Sequence, residues 1–229
     1  MNKSMDTIRQ TPLFGGLDPD QLDQVRRIAQ VKQFSRLETI FLEGDPGNGF
    51  YVIAEGKVKI YKLSADGKEQ ILHIYGPGHP IGEVPVFSGS RFPANAQAIA
   101  KSRLLYFSRS DFVELIATNP SMALNMLAVL SMRLRQFTVQ VENLSLKEVP
   151  ARIASYLTLL VREQGNSGSV TLPISKGQLA SLLGTIPETL SRIFAKMTAQ
   201  GLIKVKGSRI ELIDADALED LAQSGRLEE

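Results

Sequence analysis

Short apolar stretches alternate with polar turn residues in the first half of the chain. β-Branched and aromatic residues dominate these stretches, as in GFYVIAEGKVKIYKL at 49–63, and glycine, proline or aspartate separates them. Asp66-Gly67 is a pair typical of a tight turn between two antiparallel strands. The pattern predicts a compact β-roll or barrel, preceded by a helix that starts at Asp18 with a capping box to Gln21.

After Asn119 and Pro120, apolar positions recur at alternating intervals of three and four, which is the heptad spacing of a coiled-coil seam. The seam consists of Leu127, Leu130, Leu134, Phe137, Val141 and Leu144. One interpretation is a single amphipathic helix that packs on its own domain. The narrowness of the stripe favours another, in which two copies of the chain pair along this helix, so we expect a homodimer.

A third pattern begins at Pro150, which cannot continue the preceding helix and predicts a hinge. From there the sequence predicts a helix, a short strand, two short helices separated by Gly184, and a hairpin around Gly207. Two short helices joined by a glycine-containing turn are typical of a helix-turn-helix, and the hairpin after them is typical of a winged helix. The expected fold class is α+β, comprising a β-roll domain at 1–118, a dimerisation helix at 119–147 and a winged helix-turn-helix domain at 148–229.

The second helix of that pair, expected at 185–200, opens with polar residues. Thr185 and Glu188 have the spacing of a capping box, and Glu188, Ser191 and Arg192 share one face near the helix start. In a helix-turn-helix this end touches base edges, where arginine binds guanine and glutamate accepts from cytosine. We therefore expect these three residues to contact bases of duplex DNA. The alternatives are that Glu188 only caps its helix and that Arg192 is a solvated surface charge.

Further residues near this helix are predicted to contact the DNA backbone rather than the bases. Threonine hydroxyls, amides at helix starts and cationic side chains all bind phosphate well. The predicted backbone contacts are Thr185, Thr189, Lys176, Gln178, Lys206 and Arg209. For the last four, an ordinary place on the protein surface is the alternative interpretation.

Composition narrows the functions that remain. The chain has no cysteine, which excludes disulfides, thiolate catalysis and cysteine-ligated iron–sulfur clusters. A net charge of +2 argues against a polybasic coat for nucleic acid, but not against one basic face. Two histidines and no phosphate-binding glycine loop provide little for catalysis, so we expect no enzyme. A ligand-binding module or an enzyme without DNA affinity is the competing hypothesis.

The chain also lacks the patterns that direct a protein to a membrane. No apolar run approaches the roughly 20 residues that cross a bilayer. The N-terminal stretch MNKSMDTIRQTPLF lacks the apolar core of a signal peptide. A cytoplasmic protein without a membrane partner is therefore expected.

The whole arrangement resembles the cyclic-AMP receptor protein/fumarate–nitrate regulator superfamily of bacterial transcription factors, over about residues 12 to 215. Its most specific motifs are GEVPVFSG at 82–89 and PETLSRIFAKMTAQGLI at 187–203. The resemblance implies that Glu188 and Arg192 contact bases in each half of a palindromic operator, and that RNA polymerase is a further partner. Ser191 matches the branch that prefers TTGA-type half-sites. Pro187, which we also expect at the DNA, stands where the cyclic-AMP branch has an additional arginine. This difference leaves the identity of the outer operator bases open.

The same resemblance implies an effector site in the β-roll. Members that bind cyclic nucleotides have a Gly-Glu pair, matched here by Gly82 and Glu83, and an arginine for the cyclic phosphate about ten residues later. That position is Pro93 in this chain, which argues against cyclic AMP because a phosphate pocket needs a cation or a cluster of amides. The expected effector-site residues are Gly82, Glu83, Val84, Arg91, Ala94 and Asn95. The alternatives are that Gly82 only allows a tight turn and that Glu83 only braces a neighbouring loop.

His73 and His79 are the only histidines of the chain, and both fall within the predicted roll. The segment GEVPVFSGSRFPANAQA resembles the haem-linked nitric-oxide sensors of the superfamily, which are tied to nitrosative stress. That resemblance makes haem a hypothetical cofactor, with His79 or His73 as its ligand. A purely structural role for both histidines, another small-molecule effector and no effector at all are the alternatives.

Overall fold

The computed structural model describes residues 8, 9, 11–165 and 168–224. The chain divides into two compact units, residues 1–135 and 136–229. The first unit contains the predicted β-roll and the second the predicted helix-turn-helix, so the α+β fold class is confirmed.

The described part of the N-terminal unit is built on two four-stranded antiparallel sheets. Its strands are β1 (Gln30–Phe34), β2 (Thr39–Phe41), β3 (Gly49–Glu55), β4 (Val58–Leu63), β5 (Glu69–Tyr75), β6 (Pro80–Ile81), β7 (Asn95–Ala98) and β8 (Ser102–Ser108). One sheet has the order β1-β8-β3-β6 and the other the order β2-β7-β4-β5. The chain crosses repeatedly from one sheet to the other, which is the course of a β-roll.

Helices precede, interrupt and follow these strands. They are a short 3-10 helix (Pro12–Phe14), α1 (Pro19–Ile28), α2 (Val84–Ser88), α3 (Arg109–Thr118) and the long helix α4 (Pro120–Leu146). Asp18 and Gln21 form the predicted capping box at the start of α1. Ser108 caps α3 by accepting from the Asp111 amide at 3.2 Å. These polar side chains satisfy helix-start amides that would otherwise have no partner.

The described residues of the roll form two hydrophobic cores. In the first, the ring centroid of Phe50 lies 5.1 Å from that of Phe107 and 4.6 Å from that of Phe112, and all three side chains are fully buried. In the second, Phe41 stacks on Phe92 with centroids 3.9 Å apart. Burial of such rings removes a large apolar area from water and stabilises the packing of the sheets.

Helix α4 carries two different apolar stripes. Met122, Met126 and Val129 are buried, and the two methionines belong to the first core of the roll. The predicted heptad seam behaves differently, with Leu127, Leu134, Phe137 and Val141 exposed by 43–69% and Leu130 and Leu144 only partly buried. Apart from Leu130, which packs against the first core, the seam is therefore not what attaches α4 to the roll.

The described part of the C-terminal unit has the predicted order of elements. These are α5 (Val149–Glu163), β9 (Ser169–Thr171), α6 (Lys176–Leu182), α7 (Pro187–Ala199), β10 (Ile203–Lys206), β11 (Arg209–Leu212) and α8 (Ala215–Ser224). The strands form one antiparallel sheet in the order β10-β11-β9. Leu157, Leu179, Leu190, Met197 and Ile210 are fully buried, so the helices and the sheet share one core.

Several elements differ from the sequence-based expectation. Strands β1 and β6 and helices α2 and α8 were not predicted. The hinge lies just before Pro150, because α4 ends at Leu146 and Pro150 lies in the first turn of α5, where its missing N–H breaks no helical hydrogen bond. No single helix of the described segments is long and apolar enough to cross a membrane; only α3 and α4 taken together reach that length and composition, and they are bent by 115°.

Candidate functional site

Helices α6 and α7 form a helix-turn-helix with a turn at 183–186. Gly184 adopts φ +65°, a conformation that only glycine takes readily, and the Thr185 amide donates to the Ala180 carbonyl at 2.9 Å. Ser175 and Gln178 form the predicted capping box at the start of α6, with both hydrogen bonds present. The turn therefore fixes how the start of α7 emerges from the domain.

The predicted capping box between Thr185 and Glu188 is wrong. The N-cap of α7 is Ile186, in an extended conformation with no side-chain cap, and Pro187 is the first helical residue. Proline favours the first position of a helix and requires an extended residue before it, so it moves the helix start two residues beyond Thr185. The Glu188 carboxylate is consequently not used as a cap and remains exposed in the first turn, where the helix dipole favours negative charge.

One face of α7 is exposed at the start of the helix. Glu188, Ser191 and Arg192 are exposed, whereas Leu190 and Met197 on the opposite side are fully buried. Within the described residues, none of the three polar side chains makes a hydrogen bond or an ion pair. The helix thus presents an acceptor, a hydroxyl and a guanidinium together on its first turns.

The side chains predicted to contact phosphate have different surroundings. Lys176 is exposed as the first residue of α6, with its amine 5.7 Å from the ring centroid of Phe194. Gln178 already accepts from the Ser175 amide through its Oε1 atom, which leaves only its amide nitrogen for a ligand. Thr185 and Thr189 are partly buried at the two sides of the exposed Pro187.

The β10-β11 hairpin forms the predicted wing, with Gly207 at φ +62° in its turn. Lys206 and Arg209 lie opposite each other in the strand register. The Arg209 guanidinium donates to the Ser169 hydroxyl at 3.0 Å, and both lysines of β10, Lys204 and Lys206, line the same cavity of about 400 Å³. The wing therefore carries a small basic surface.

A second cavity, of about 640 Å³, lies between the start of α5 and the side of α7. Glu148, Arg152, Thr189, Arg192 and Lys196 line it. The Nε atom of Arg152 is buried and has no hydrogen-bond acceptor among the described residues, an arrangement that costs about 1–3 kcal/mol. Burial also lowers the pKa of the Arg152 guanidinium below its ordinary value. Arg152 and Lys196 were not predicted as site residues from the sequence. Lys196 lies one helical turn after Arg192, and this spacing could have indicated it.

In the N-terminal unit, Glu83 is almost completely buried and forms an ion pair with Arg133 of α4. The same guanidinium donates to the Pro80 carbonyl and lies 4.7 Å from the ring centroid of Tyr75. Glu83 therefore contacts the long helix rather than bracing a loop. Sequence analysis missed Arg133, which continues the buried stripe of α4 four residues after Val129.

Both the backbone conformation and the neighbouring side chains require glycine at position 82. It adopts φ +73°, and a Cβ atom at this position would lie 2.9 Å from both Phe41 and Phe92. The stacked pair of rings therefore fills the space next to the Gly-Glu motif. Val84, by contrast, is 43% exposed as the first residue of α2.

The cations near Pro93 are already engaged by the protein. Arg91 donates to the Gly44 carbonyl at 2.7 Å, and Lys62 donates to the Pro93 carbonyl at 3.0 Å and pairs with Glu43. The other two predicted effector residues, Ala94 and Asn95, are buried. The Asn95 side chain accepts from the Glu43 amide and donates to the Tyr61 carbonyl, which holds β7 in place.

The two histidines have different surroundings. The ring centroid of His73 lies 4.1 Å from that of Tyr75. The pKa of His73 is lowered to about 4, first by burial and then by the charges of Arg133 and His79, in that order of size. His79 is exposed, with Nδ1 3.2 Å from the carbonyl oxygens of Gly76 and Pro77. Burial and the guanidinium charge both favour the neutral form of the His73 ring. Haem ligation by His73 or His79 stays a prediction. No group of three or more metal-ligating side chains occurs among the described residues.

Comparison with known proteins extends over nearly the whole chain. A cyclic nucleotide-binding domain model matches residues 31–119, and a Crp-like helix-turn-helix domain model matches residues 151–221. The cyclic AMP receptor protein of Thermus thermophilus is 32% identical over 93% of this chain and 97% of its own. The CRP-like cAMP-activated global transcriptional regulator of Mycobacterium tuberculosis is 30% identical over 90% of this chain and 94% of its own.

A solved structure gives the same result for the fold. FixK2 from Bradyrhizobium japonicum superposes with a TM-score of 0.74 at 27% identity, covering 85% of this chain and 97% of its own. The matched relatives are transcription regulators, which are not enzymes. Membership of the nitrosative-stress branch stays a prediction. From its two domain matches and its full-length relatives, the chain belongs to the CRP/FNR family of DNA-binding transcription regulators.

Proposed function

We propose that two copies of this chain pair along α4 and bind a palindromic DNA site, each through the start of α7. The observation that supports this most is the free polar face formed by Glu188, Ser191 and Arg192. A free guanidinium can donate two hydrogen bonds to guanine O6 and N7, and a free carboxylate can accept from the cytosine amino group. Base recognition therefore uses groups that the protein leaves without an internal partner.

The exposed seam of α4 supports the homodimer. Leu134 is 69% exposed and Val141 is 62% exposed, and both belong to the stripe with heptad spacing. A contiguous apolar stripe of this kind marks a protein–protein interface, and its 3.5-residue period fits a second identical helix. Two-fold symmetry of the protein would then correspond to the palindromy of the DNA site.

Control by an effector would pass through α4. This helix carries both Arg133, which pairs with Glu83 in the roll, and the seam proposed to pair the two subunits. A ligand that changes the Glu83–Arg133 contact would favour one pose of α4 over another and so shift the population of DNA-binding dimers. Transcription would respond through the position of the two α7 helices.

The effector we propose is not a cyclic nucleotide. Position 93 is a proline rather than an arginine. Lys62 and Arg91 already bind Glu43 and backbone carbonyls. A cyclic phosphate there would have to displace these contacts before it gained a charged partner. We expect calorimetric titration of cyclic AMP into the protein to give no saturable heat.

Cyclic AMP is nevertheless the second candidate, because two similar proteins are named for it. Saturable binding of cyclic AMP in that titration, abolished by Glu83→Gln, would establish it as the effector and overturn the proposal of a different one. The DNA-binding part of the proposal is independent of this result.

Selection of bound sequences from a random duplex library tests the DNA-binding function. We expect two inverted half-sites whose centres lie about one helical turn, roughly 34 Å, apart. Arg192→Ala should weaken binding to the selected site by about 1–3 kcal/mol and relax one base position in each half-site. Arg162→Ala is the matched control, because Arg162 is an exposed arginine on α5 that pairs with Glu219. Recovery of no enriched sequence, or an unchanged preference in Arg192→Ala, would overturn the proposal.

A further inference from the structure

The cavity of about 640 Å³ beside α7 has an excess of positive charge. Its polar lining comprises three cations, Arg152, Arg192 and Lys196, together with Thr189 and a single carboxylate, Glu148. Val149, Pro150 and Ile193 form the apolar remainder of the wall. Guanidinium, ammonium and hydroxyl groups all donate hydrogen bonds, and the charged donors bind oxyanions most strongly. The chemistry of the cavity therefore fits a phosphate group.

The guanidinium of Arg152 has no anionic partner among the described residues. It is half-buried on α5, and within the described residues it has neither an ion pair nor a side-chain hydrogen bond. Its Nε atom in particular is buried without an acceptor. Charged groups that proteins bury are normally paired, so an unpaired guanidinium at a cavity wall indicates a ligand that arrives from outside.

The other donors lie along one edge of α7. Thr189, Arg192 and Lys196 follow at intervals of three and four residues, which aligns them along the helix. This edge adjoins the face that carries Glu188 and Ser191. When a helix lies in the major groove, side chains that flank its base-contacting face reach the phosphates of the adjacent strand.

Resting on the proposed function, we infer that Arg152 and Lys196 together bind one backbone phosphate of the DNA in each half-site, with Thr189 as a third donor. Arg152 belongs to α5 and not to the helix-turn-helix pair. The phosphate contact would therefore join the start of α5 to the same DNA strand that α7 contacts, and would fix how deeply α7 enters the groove.

The DNA backbone fits the cavity better than a free phosphate ion does. The carboxylate of Glu148 faces the same space and lowers its positive potential, which weakens the binding of a small ion on its own. A phosphate of the duplex is held in place by the remaining protein–DNA contacts and tolerates this repulsion.

Arg152→Met is the main test, because methionine keeps an unbranched apolar side chain and removes the charge. We expect about tenfold weaker binding to the selected site and to an unrelated duplex alike, as for the loss of one charged hydrogen bond. The slope of log affinity against log salt should become shallower by about 0.9 for each DNA-bound subunit. The thermal midpoint should stay equal or rise, because an unpaired buried charge is removed.

Three further variants complement the Arg152→Met test. Lys196→Met should lower the affinity and the salt slope in the same way without changing the preferred sequence, unlike Arg192→Ala. Glu148→Gln should change the affinity in the opposite direction, strengthening binding several-fold. Arg162→Met, on the same helix but outside the cavity, should leave both the affinity and the slope at the wild-type values.

The possible results separate this inference from the proposed function. Wild-type affinity and slope in Arg152→Met would overturn the phosphate contact while leaving the proposed function intact, and so would a loss of affinity explained by a lower thermal midpoint. Failure of the wild-type protein to bind any duplex would overturn both. Inorganic phosphate, titrated at constant ionic strength, should show no saturable binding; binding that Arg152→Met abolishes would identify a free-anion site and overturn the DNA assignment.

Discussion

The buried Glu83–Arg133 pair of the N-terminal unit differs from the cations that line the cavity beside α7 in the C-terminal unit. In the N-terminal unit, Glu83 and Arg133 form an ion pair with side chains only 4% and 12% exposed. In the C-terminal unit, Arg152, Arg192 and Lys196 have no ion-pair partner in the part of the chain that the structure describes. Charges that are paired and buried inside a unit hold its structure, whereas charges left unpaired at a surface or cavity remain available to an outside anion.

The largest expected effect comes from breaking the buried pair. Glu83→Gln should lower the free energy of unfolding by about 3–5 kcal/mol, because it leaves Arg133 as an uncompensated buried charge. Urea unfolding of the variant measures this directly. The double variant Glu83→Gln with Arg133→Met should recover much of the loss. A Glu83→Gln protein as stable as the wild type would contradict the structural role of the pair.

The next effect concerns a buried group beside that pair. The pKa of His73 is lowered to about 4 in the folded protein, against about 6.5 in the unfolded chain, so its contribution to stability is complete above pH 6.5. As the pH falls from 6.5 to 4, the unfolded state takes up a proton that the folded state does not, and stability falls by on the order of 3 kcal/mol. Urea unfolding from pH 4 to 7 should show a smaller fall in His73→Gln, and parallel curves would refute the shift.

A smaller effect is expected at the wing, where Lys206 is exposed and has no ion-pair partner within the described segments. Lys206→Gln should leave the free energy of unfolding unchanged and make the salt dependence of DNA binding shallower by about 0.9 for each bound subunit. Fluorescence anisotropy at several salt concentrations measures the slope. A destabilised protein with an unchanged slope would mean that Lys206 belongs with the structural charges.

The smallest effect is expected for a pair that is exposed. Arg162 and Glu219 lie 2.6 Å apart on the C-terminal unit, with side chains 67% and 48% exposed. Exposed pairs contribute about 0.2–1 kcal/mol, so Arg162→Met should barely change urea unfolding. If Arg162→Met lost as much free energy of unfolding as Glu83→Gln, an ion pair would stabilise the protein whether or not it is buried.

The sequence predicted the parts of the site that follow from local periodicity. Glu188, Ser191 and Arg192 share a face because they are three and four residues apart on a helix, and the structure contains that helix. The start of the helix was predicted wrongly because the preference of Pro187 for the first helical position outweighed the capping spacing of Thr185 and Glu188. Strand β1 was missed because its sequence, QVKQF, is almost entirely exposed and has no alternating pattern.

Contacts between distant parts of the sequence were not predictable. Glu83 and Arg133 are 50 residues apart, and Arg152 meets the side of α7 only after α5 and α7 have packed into one core. No spacing rule connects such residues, because their proximity depends on how whole elements pack. The Glu83–Arg133 pair and the cavity beside α7 therefore required the three-dimensional structure, whereas the exposed polar face of α7 did not.

The central claim is that Arg192 of each subunit contacts one guanine, so that each DNA complex contains two such contacts. Methylation interference tests it directly, because a methyl group on guanine N7 blocks the acceptor that a bidentate arginine uses. The wild-type protein should show one interfering guanine in each half-site, related by the dyad of the operator, and Arg192→Ala should lose both. Interference that persists unchanged in Arg192→Ala, or that lacks two-fold symmetry, would contradict the account.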